Sequence, residues 1–274
     1  MDWWQAIILG IVEGVTEYLP VSSTGHLILA QRAMGIANSD AANAYAICIQ
    51  GGAILAVLTL YFGRAKQMAM GIAGRDATGR RMAINLFVAL LPLVVIVFLE
   101  KAIKEHLFGL WPVTGAWFVG GAAILVVAWM RSRQHKEPRE GLTLEQLTWR
   151  MALIVGAAQC VAVWPGTSRS LVTIVAGVLV GLSLPAAVEF SFLLGVVTLG
   201  GATLKDFIEY RHDMFTAYTP LTMAIGFVFA FLAAVIAVKW MVAYLNKHGL
   251  AVFGYYRIAL AIIVAALMVM GYLS

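Results

Sequence analysis

Six apolar stretches, each long enough to cross a lipid bilayer, constrain this chain more than any other feature of its sequence. They lie at 44–63, 82–99, 113–130, 186–204, 220–238 and 254–273. A helix needs roughly 20 mainly apolar residues to span the hydrocarbon core. Because only 12% of the residues are charged and 62% are hydrophobic, the chain could not cover a water-facing surface. The sequence therefore predicts an all-α integral membrane protein with six transmembrane helices.

Two further apolar regions, 5–36 and 151–182, differ from the six spans because polar and helix-breaking residues interrupt each near its middle. The first is broken at 20–25 and the second at 165–168. Neither half is long enough to span the membrane alone, and irregular backbone survives at membrane depth only where protein or water satisfies its polar groups. Both regions are predicted to form re-entrant helix hairpins.

The two broken regions also resemble each other in sequence. Residues 10–13 align with 156–159, and residues 20–23 align with 165–168 at an offset shorter by one residue. Three spans follow each region, and an odd number of spans inverts the second copy. This pattern predicts an inverted-topology repeat with its ligand site where the repeats meet. We expect a single membrane domain made of repeat one (1–130), a cytoplasmic linker (131–150) and repeat two (151–274).

Loop charges predict the orientation of the chain. The loops 64–81 and 131–150 are rich in Lys and Arg, whereas the loop 205–219 carries more acids than bases. Since basic loops stay on the cytoplasmic side, the first hairpin and both termini are expected outside, and the second hairpin is expected to enter from the cytoplasm. The chain is therefore expected to cross the membrane several times.

The formal charge of +5 does not indicate nucleic-acid binding, because the basic residues cluster in loops between apolar spans, where they set orientation. The expected surroundings are membrane lipids. Small residues such as Gly10 and Gly14 would suit either packing within the chain or contacts in a homodimer.

The first broken region carries two acids, Glu13 and Glu17, that share one face of a helix. Like charges so placed repel each other, and each is costly inside a membrane unless a cation or a proton compensates it. A shared divalent cation, or one acid kept protonated for proton transfer, would explain the pair. A structural pair bonded to backbone or arginine is the alternative.

Hydroxyl residues follow these acids. Ser22, Ser23, Thr24 and Gly25 precede the second half-helix, whose exposed N–H groups and positive end suit a phosphate. Ordinary N-capping would also explain a serine or threonine there. His26 lies three residues after Ser23 and is a candidate for acid–base chemistry.

The second broken region offers a cation among hydroxyls. The residues are Gly166, Thr167, Ser168, Arg169, Ser170 and Thr173. The guanidinium of Arg169 fits phosphate oxygens bidentately, although snorkelling to the membrane surface would also explain it. Gln50 and Glu189, in the spans that follow the hairpins, are weaker candidates for supporting residues.

Both stretches resemble the signatures of the bacitracin-resistance family, the undecaprenyl pyrophosphate phosphatases. The family's E-x-x-x-E element leading into P-V-S-S-T-G-H is matched from Glu13 to His26, and its P-G-x-S-R-S-x-x-T element is matched from Pro165 to Thr173. Leu171 departs from the small residue that relatives often carry. The resemblance implies hydrolysis of a polyprenyl pyrophosphate with a divalent cation such as Mg²⁺ or Ca²⁺. It also implies recycling of the lipid carrier for peptidoglycan, a location in the bacterial cytoplasmic (inner) membrane, and a site facing the outer side of that membrane.

For the reaction, we expect Arg169 to hold the terminal phosphate and a metal to bind near Glu13 and Glu17. Ser23 is the preferred nucleophile, with Glu17 or His26 taking its proton. A water activated by His26, or direct attack by His26, would compete with this assignment. The other predicted substrate-binding residues are Ser22, Thr24, Gly25, Gly166, Thr167, Ser168, Ser170 and Thr173. An inverted-repeat transporter or a flippase of an anionic lipid is the alternative function.

Overall fold

The computed structural model describes residues 1–36, 39–97, 107, 109–134 and 137–273. Within these ranges the regular secondary structure is helical, apart from one isolated bridge between Leu142 and Leu182. The α-helices are α1 (Trp3–Thr16), α2 (Ser23–Ala33), α3 (Asp40–Leu60), α4 (Phe62–Ile72), α5 (Ala77–Val97), α6 (Leu110–Arg133), α7 (Trp149–Gln159), α8 (Arg169–Leu179), α9 (Leu184–Ala217), α10 (Pro220–His248) and α11 (Ala251–Val269).

Six helices of this described part are long and apolar enough to cross a membrane, which confirms the predicted number of spans. They are α3, α5, α6, α9, α10 and α11. The ends differ most for α9, which has 34 residues, and α10, which has 29. Both helices continue past the apolar stretch. The first ends just before Thr219, which caps α10, and α10 ends before Gly249, whose φ is 72°. The last two residues of the predicted span 82–99 lie outside the described ranges.

The two interrupted regions each form a pair of short helices around a non-α-helical break. The first break (residues 17–22) separates α1 from α2, and the second break (residues 160–168) separates α7 from α8 and begins with the 3-10 turn Cys160–Val163. The side-chain amide of Gln5, in the first turn of α1, donates to the carbonyl of Met34, just after α2, at 3.3 Å. The start of α1 therefore lies beside the end of α2 in space. In the second pair, the linker that leads into α7 is bonded to the turn that follows α8, through Leu142 N–H and Gly181 O at 2.9 Å.

Glycines allow α1 to pack closely against α10. A Cβ atom added at Gly10 would meet the carbonyl oxygen of Gly226, and one added at Gly14 would meet that of Ala230. Of the two roles that the sequence allowed for these glycines, the structure therefore shows packing within the chain. Small residues let helix backbones approach in this way inside membranes.

An ion-pair network joins the two basic loops. Arg64 contacts Glu145 at 2.9 Å and Glu189 at 2.6 Å, and Arg81 donates to the carbonyl of Glu145 at 3.4 Å. The loops 64–81 and 131–150 thus lie at the same end of the helix bundle, as predicted. Glu189, one of the two weaker candidates for supporting residues, is thus part of this network. The other candidate, Gln50, accepts a hydrogen bond from Thr203 at 2.8 Å.

Candidate active site

The first and second breaks meet inside the bundle. The hydroxyl of Ser170 donates to the carbonyl of Leu19 at 2.9 Å. Arg257, from α11, donates to the carbonyl of Pro20 at 3.3 Å and to that of Gly166 at 2.9 Å. Because each break supplies a partner to these contacts, the polar residues of the two regions are brought into one site.

Side chains satisfy the carbonyl oxygens of the first break. The carbonyls of residues 19 to 22 each accept one such hydrogen bond, at 2.9, 3.3, 3.0 and 2.7 Å in chain order. The donors, in the same order, are Ser170 Oγ, Arg257 Nη1, Trp117 Nε1 and His26 Nδ1. Irregular backbone at membrane depth requires partners of this kind. The N–H groups at the start of α2 then remain for another acceptor.

Both breaks end on a strained serine. Ser22 (φ 75°, ψ 100°) and Ser168 (φ 76°, ψ 113°) precede α2 and α8, and in the described ranges they are the only non-glycine residues with positive φ. Such a conformation costs about 1–3 kcal/mol and persists where the surroundings enforce it. The backbone therefore matches Ser22 with Ser168, the same offset that relates Gly10 to Gly156. The one-residue deletion assumed in the sequence alignment is not needed.

Ser23, Glu17 and Arg169 form a connected polar chain across the two breaks. The hydroxyl of Ser23 donates to Glu17 Oε2, and Glu17 Oε1 lies 3.6 Å from Arg169 Nη2. Arg169 Nη1 donates to the carbonyl of Ser191 at 2.8 Å, and this bond holds the guanidinium in place. The guanidinium carbon lies 5.2 Å from the centre of the Tyr18 ring.

Several buried polar atoms around this chain have no hydrogen-bond partner in the part of the protein that the structure describes. They are Arg169 Nε and Nη2, Glu13 Oε2 and the hydroxyl of Tyr18. The Tyr18 ring lies against the Arg169 guanidinium, which in turn lies beside the Glu17 carboxylate. Buried polar groups are almost always hydrogen-bonded in folded proteins. A bound polar ligand is the ordinary way to satisfy such a cluster.

Glu13 and Glu17 form a carboxylate pair, because their side chains are close enough to interact with each other. Both are buried, at 1% and 8% exposure. No group of three or more His, Cys, Asp or Glu side chains occurs among the described residues. Mg²⁺ is commonly held by one or two carboxylates together with water and substrate phosphates. The pair fits a cation of that kind and does not form an all-protein metal cage.

The structure engages both ring nitrogens of His26. Nδ1 lies 2.7 Å from the carbonyl of Ser22, and Nε2 lies 2.7 Å from the hydroxyl of Tyr256. Since a carbonyl only accepts, Nδ1 carries the proton and Nε2 accepts from Tyr256 in the neutral ring. The sequence left Glu17 and His26 open as partners of Ser23, and the structure brings Glu17 into contact with its hydroxyl.

Two hydroxyls that were predicted to bind substrate are bonded to protein groups in the structure. Ser170 and Thr173 are both fully buried. Ser170 holds the first break through Leu19, and Thr173 Oγ1 bonds to Arg169 O at 2.8 Å and to Ser191 Oγ at 2.7 Å. Both hydroxyls are thus bonded to protein groups in this structure, and their binding of substrate stays a prediction.

The remaining predicted residues lie around the two helix starts. Thr24 is exposed in the first turn of α2, whereas Gly25 lies against the ring of Trp117, where a Cβ would collide. Thr167 is buried at 7% exposure, and Gly166 has a φ of 92°. The Ser168 hydroxyl caps α8 by accepting from Leu171 N–H at 3.3 Å.

Sequence reasoning missed four participants: Tyr18, Trp117, Tyr256 and Arg257. Arg257 carried a usable signal, since a charged residue inside an apolar span is a functional or structural marker. The aromatic residues carried none, because their contacts depend on tertiary packing. Two glycines outside the breaks were also missed: a Cβ at Gly195 would meet the guanidinium of Arg169, and one at Gly120 would meet that of Arg257.

The fold defines a helical membrane protein in which a hydroxyl, a carboxylate pair and an arginine meet where two interrupted helical regions come together. Residues 6–263 match the family described as bacitracin resistance protein BacA, and the chain belongs to that family. It is 43% identical over 267 residues to an undecaprenyl-diphosphatase of Sorangium cellulosum, covering 96% of this chain and 86% of the relative. It is 44% identical over 269 residues to an undecaprenyl-diphosphatase of Nitrosomonas europaea, covering 96% of this chain and 95% of the relative.

Proposed function

We propose that the protein is a membrane-embedded phosphatase that hydrolyses undecaprenyl pyrophosphate to undecaprenyl phosphate and phosphate. This reaction recycles the lipid carrier for cell-wall synthesis and thereby confers bacitracin resistance. The activity for which the relatives are named supports this function. The observation that carries it is the Glu17 carboxylate, which accepts from the Ser23 hydroxyl and lies beside the guanidinium of Arg169. Nε and Nη2 of that guanidinium have no hydrogen-bond partner in the described structure.

Arg169 and the N-terminus of α2 hold the terminal phosphate in this proposal. The free nitrogens of Arg169 donate to its oxygens, and the first N–H groups of α2 add further donors along the positive end of the helix. Ser22 makes no side-chain capping bond, which supports this role because the N–H groups that a cap would satisfy are left to the ligand.

Ser23 is the nucleophile and Glu17 is the base. Ser23 Oγ forms a bond to the terminal phosphorus while its proton passes to the Glu17 carboxylate. The bond from that phosphorus to the bridging oxygen breaks, and the electron pair leaves with the lipid monophosphate. Glu17 passes this proton to the departing lipid monophosphate and is a carboxylate again. Water then attacks the phosphorus of the phosphoserine and gives a proton to Glu17, while the bond from phosphorus to Ser23 Oγ breaks. The serine oxygen takes that proton from Glu17, and phosphate is released.

A divalent cation, Mg²⁺ or Ca²⁺, is part of the proposal, with Glu13 and Glu17 as the residues that would hold it. When bound, it would offset phosphate charge. Glu13 Oε2 is buried without a hydrogen-bond partner in the described structure, which supports this assignment. His26 serves by holding the Ser22 carbonyl, next to the nucleophile, in place.

The architecture that we propose is an inverted-topology repeat with two re-entrant hairpins. Three observations support it: each short-helix pair begins and ends at one end of the molecule, the breaks contact each other, and their strained serines correspond. The basic loops at one end support a cytoplasmic location for that end. The first hairpin then opens to the outer side of the cytoplasmic membrane, and the site faces the same side.

The direct test is phosphate release from undecaprenyl pyrophosphate by detergent-purified protein, with and without a chelator. We expect cation-dependent release that Arg169→Ala and Ser23→Ala reduce by at least about 100-fold. Arg150→Ala and Ser132→Ala, at exposed positions, are matched controls with wild-type rates. Absence of release from folded wild type, across several cations, would contradict the phosphatase and favour a transporter or flippase of the same lipid.

Trapping the phosphorylated protein tests the nucleophile separately. We expect phosphate on Ser23 after rapid quenching, and its absence in Ser23→Ala. A phosphohistidine at His26 would contradict this assignment while leaving the phosphatase function intact.

A further inference from the structure

Arg257 is a fully buried cation held by backbone carbonyls. Its side chain is 0% exposed. Besides Pro20 and Gly166, it donates to the carbonyl of Trp117 at 3.3 Å and to that of Ala116 at 2.9 Å. No carboxylate contacts it among the residues that the structure describes. Burying a charge without a counter-ion has a high cost in free energy. We therefore expect a function of the protein to depend on Arg257.

The two break carbonyls that Arg257 binds occupy equivalent positions. Pro20 lies two residues before the strained Ser22, and Gly166 lies two residues before the strained Ser168. Ser23 and Arg169, the first residues of α2 and α8, follow these serines directly. One guanidinium therefore holds each break three residues before the group that the break contributes to the site.

The surroundings are built to admit this side chain. A Cβ atom added at Gly120, in α6, would collide with Nη2 of Arg257. The carbonyls of Ala116 and Trp117 come from the same helix, so α6 and α11 together fix the guanidinium. Its planar fork of five donors is suited to several fixed acceptors at once, whereas an ammonium group is a compact point charge with three donors.

We propose that Arg257 is a positioning residue that sets the distance between the Ser23 hydroxyl and the Arg169 guanidinium by linking the two breaks. The inference rests on the proposed phosphatase function, in which these two groups act on the same phosphate. Arg257 touches neither the substrate nor the reacting atoms. Loss of the link misplaces the nucleophile relative to the phosphate, and a displacement of about 1 Å can cost a factor of about 100 in rate.

The principal variant is Arg257→Lys, which keeps the charge but cannot reach all four carbonyls. We expect kcat per folded molecule to fall by about 10- to 100-fold and KM to change by less than about threefold, because Arg257 acts on orientation and not on binding. Folded protein is counted as the monodisperse fraction with wild-type helicity.

Hydrogen–deuterium exchange supplies a readout that does not depend on activity. In Arg257→Lys we expect faster exchange in the segments 17–26 and 164–172 together, with α3 and α10 unchanged. A merely structural role would instead raise exchange throughout the bundle and leave kcat per folded molecule at the wild-type value. That result, or no change in either readout, would overturn the inference.

Gly120→Ala provides a milder second variant if the lysine protein does not fold. The added methyl group displaces the guanidinium of Arg257 without removing it, and we expect the same fall in kcat and the same paired rise in exchange. Gly115→Ala, on the same helix and with open space around the position, is the matched control and should behave as wild type. Equal behaviour of the two alanine variants would also overturn the inference.

The experiments distinguish failure of the proposed phosphatase function from failure of the proposed role of Arg257. If wild type releases no phosphate, and Arg257→Lys still loosens both breaks together and nothing else, the linking role is supported and the phosphatase is wrong. If wild type is active and the exchange of the two breaks is unaffected, the phosphatase stands and the role of Arg257 is wrong.

Discussion

The first and second breaks end in the same backbone conformation but carry different side chains. Each ends on a serine with nearly the same strained φ, at the N-cap of a short helix. The first break is preceded by the acid Glu13, whereas the second is preceded by Gln159 at the equivalent position. The residue that follows the strained serine is Ser23 in one and Arg169 in the other.

Capping separates the two breaks further. The Ser168 hydroxyl bonds to an N–H of its own helix, but the Ser22 hydroxyl makes no cap bond. The helix start that keeps its N–H groups free is the one that carries the proposed nucleophile. Both breaks thus end in the same strained turn. In the proposed mechanism, the side chains on this turn give the first break the nucleophile Ser23 and the second break the cation Arg169.

The largest effect is expected from Glu17→Gln, because Glu17 both accepts from Ser23 and pairs with Arg169. Loss of a general base should reduce kcat by about 10²–10⁴-fold, measured as phosphate release. Glu137→Gln, at an exposed linker position, is the control. Residual activity within tenfold of wild type would show that the first break does not supply the base.

Arg169→Lys tests what the second break contributes. Lysine keeps the charge but loses the fork that holds Ser191 and the phosphate, so we expect about a 100-fold fall in kcat/KM. Arg133→Lys, which alters an exposed cation over Trp129, should leave kcat/KM unchanged. Equal values for both variants would mean that charge alone is needed at Arg169.

Glu13→Gln and Gln159→Leu compare the equivalent positions directly. Glu13→Gln removes one proposed cation ligand, and we expect the cation concentration for half-maximal activity to rise at least about tenfold. Both amide atoms of Gln159 are buried without partners in the described structure, so leucine should keep full activity and raise the unfolding temperature or leave it unchanged. Loss of activity in Gln159→Leu would show that both positions serve the reaction.

The smallest effect concerns the caps. Ser168→Ala removes the bond to Leu171 N–H and should destabilise the protein by about 1 kcal/mol, whereas Ser22→Ala removes no cap bond and should cost less. Thermal unfolding in detergent measures the difference. Equal destabilisation would contradict the contrast in capping.

The sequence predicted the parts of this molecule that depend on local pattern. Hydropathy integrated over some 20 residues located six spans, and the Pro, Gly and Ser residues located both breaks. Glu13, Glu17, Ser23 and Arg169 were predicted to share a site, and their side chains lie together in the structure, although their roles remain proposals.

Tertiary contacts explain what the sequence did not predict. Ser170 and Thr173 could have pointed at a ligand or at the protein, and only the neighbouring Leu19 and Ser191 decide that they bond to the protein. The link made by Arg257 joins residues more than 90 positions apart in the chain, which no local pattern encodes. Helix ends such as that of α9 follow capping residues beyond the apolar stretch.

The central claim is that the two breaks form one catalytic unit, and a double-mutant cycle of Glu17→Gln and Arg169→Lys tests it most directly. Phosphate release is measured for wild type, both single variants and the double variant. The effects of mutating residues that act as a unit are strongly non-additive. We therefore predict that the double variant releases phosphate about as fast as the less active of the two single variants. Losses that multiply would contradict the account, because they would show that the two breaks act independently.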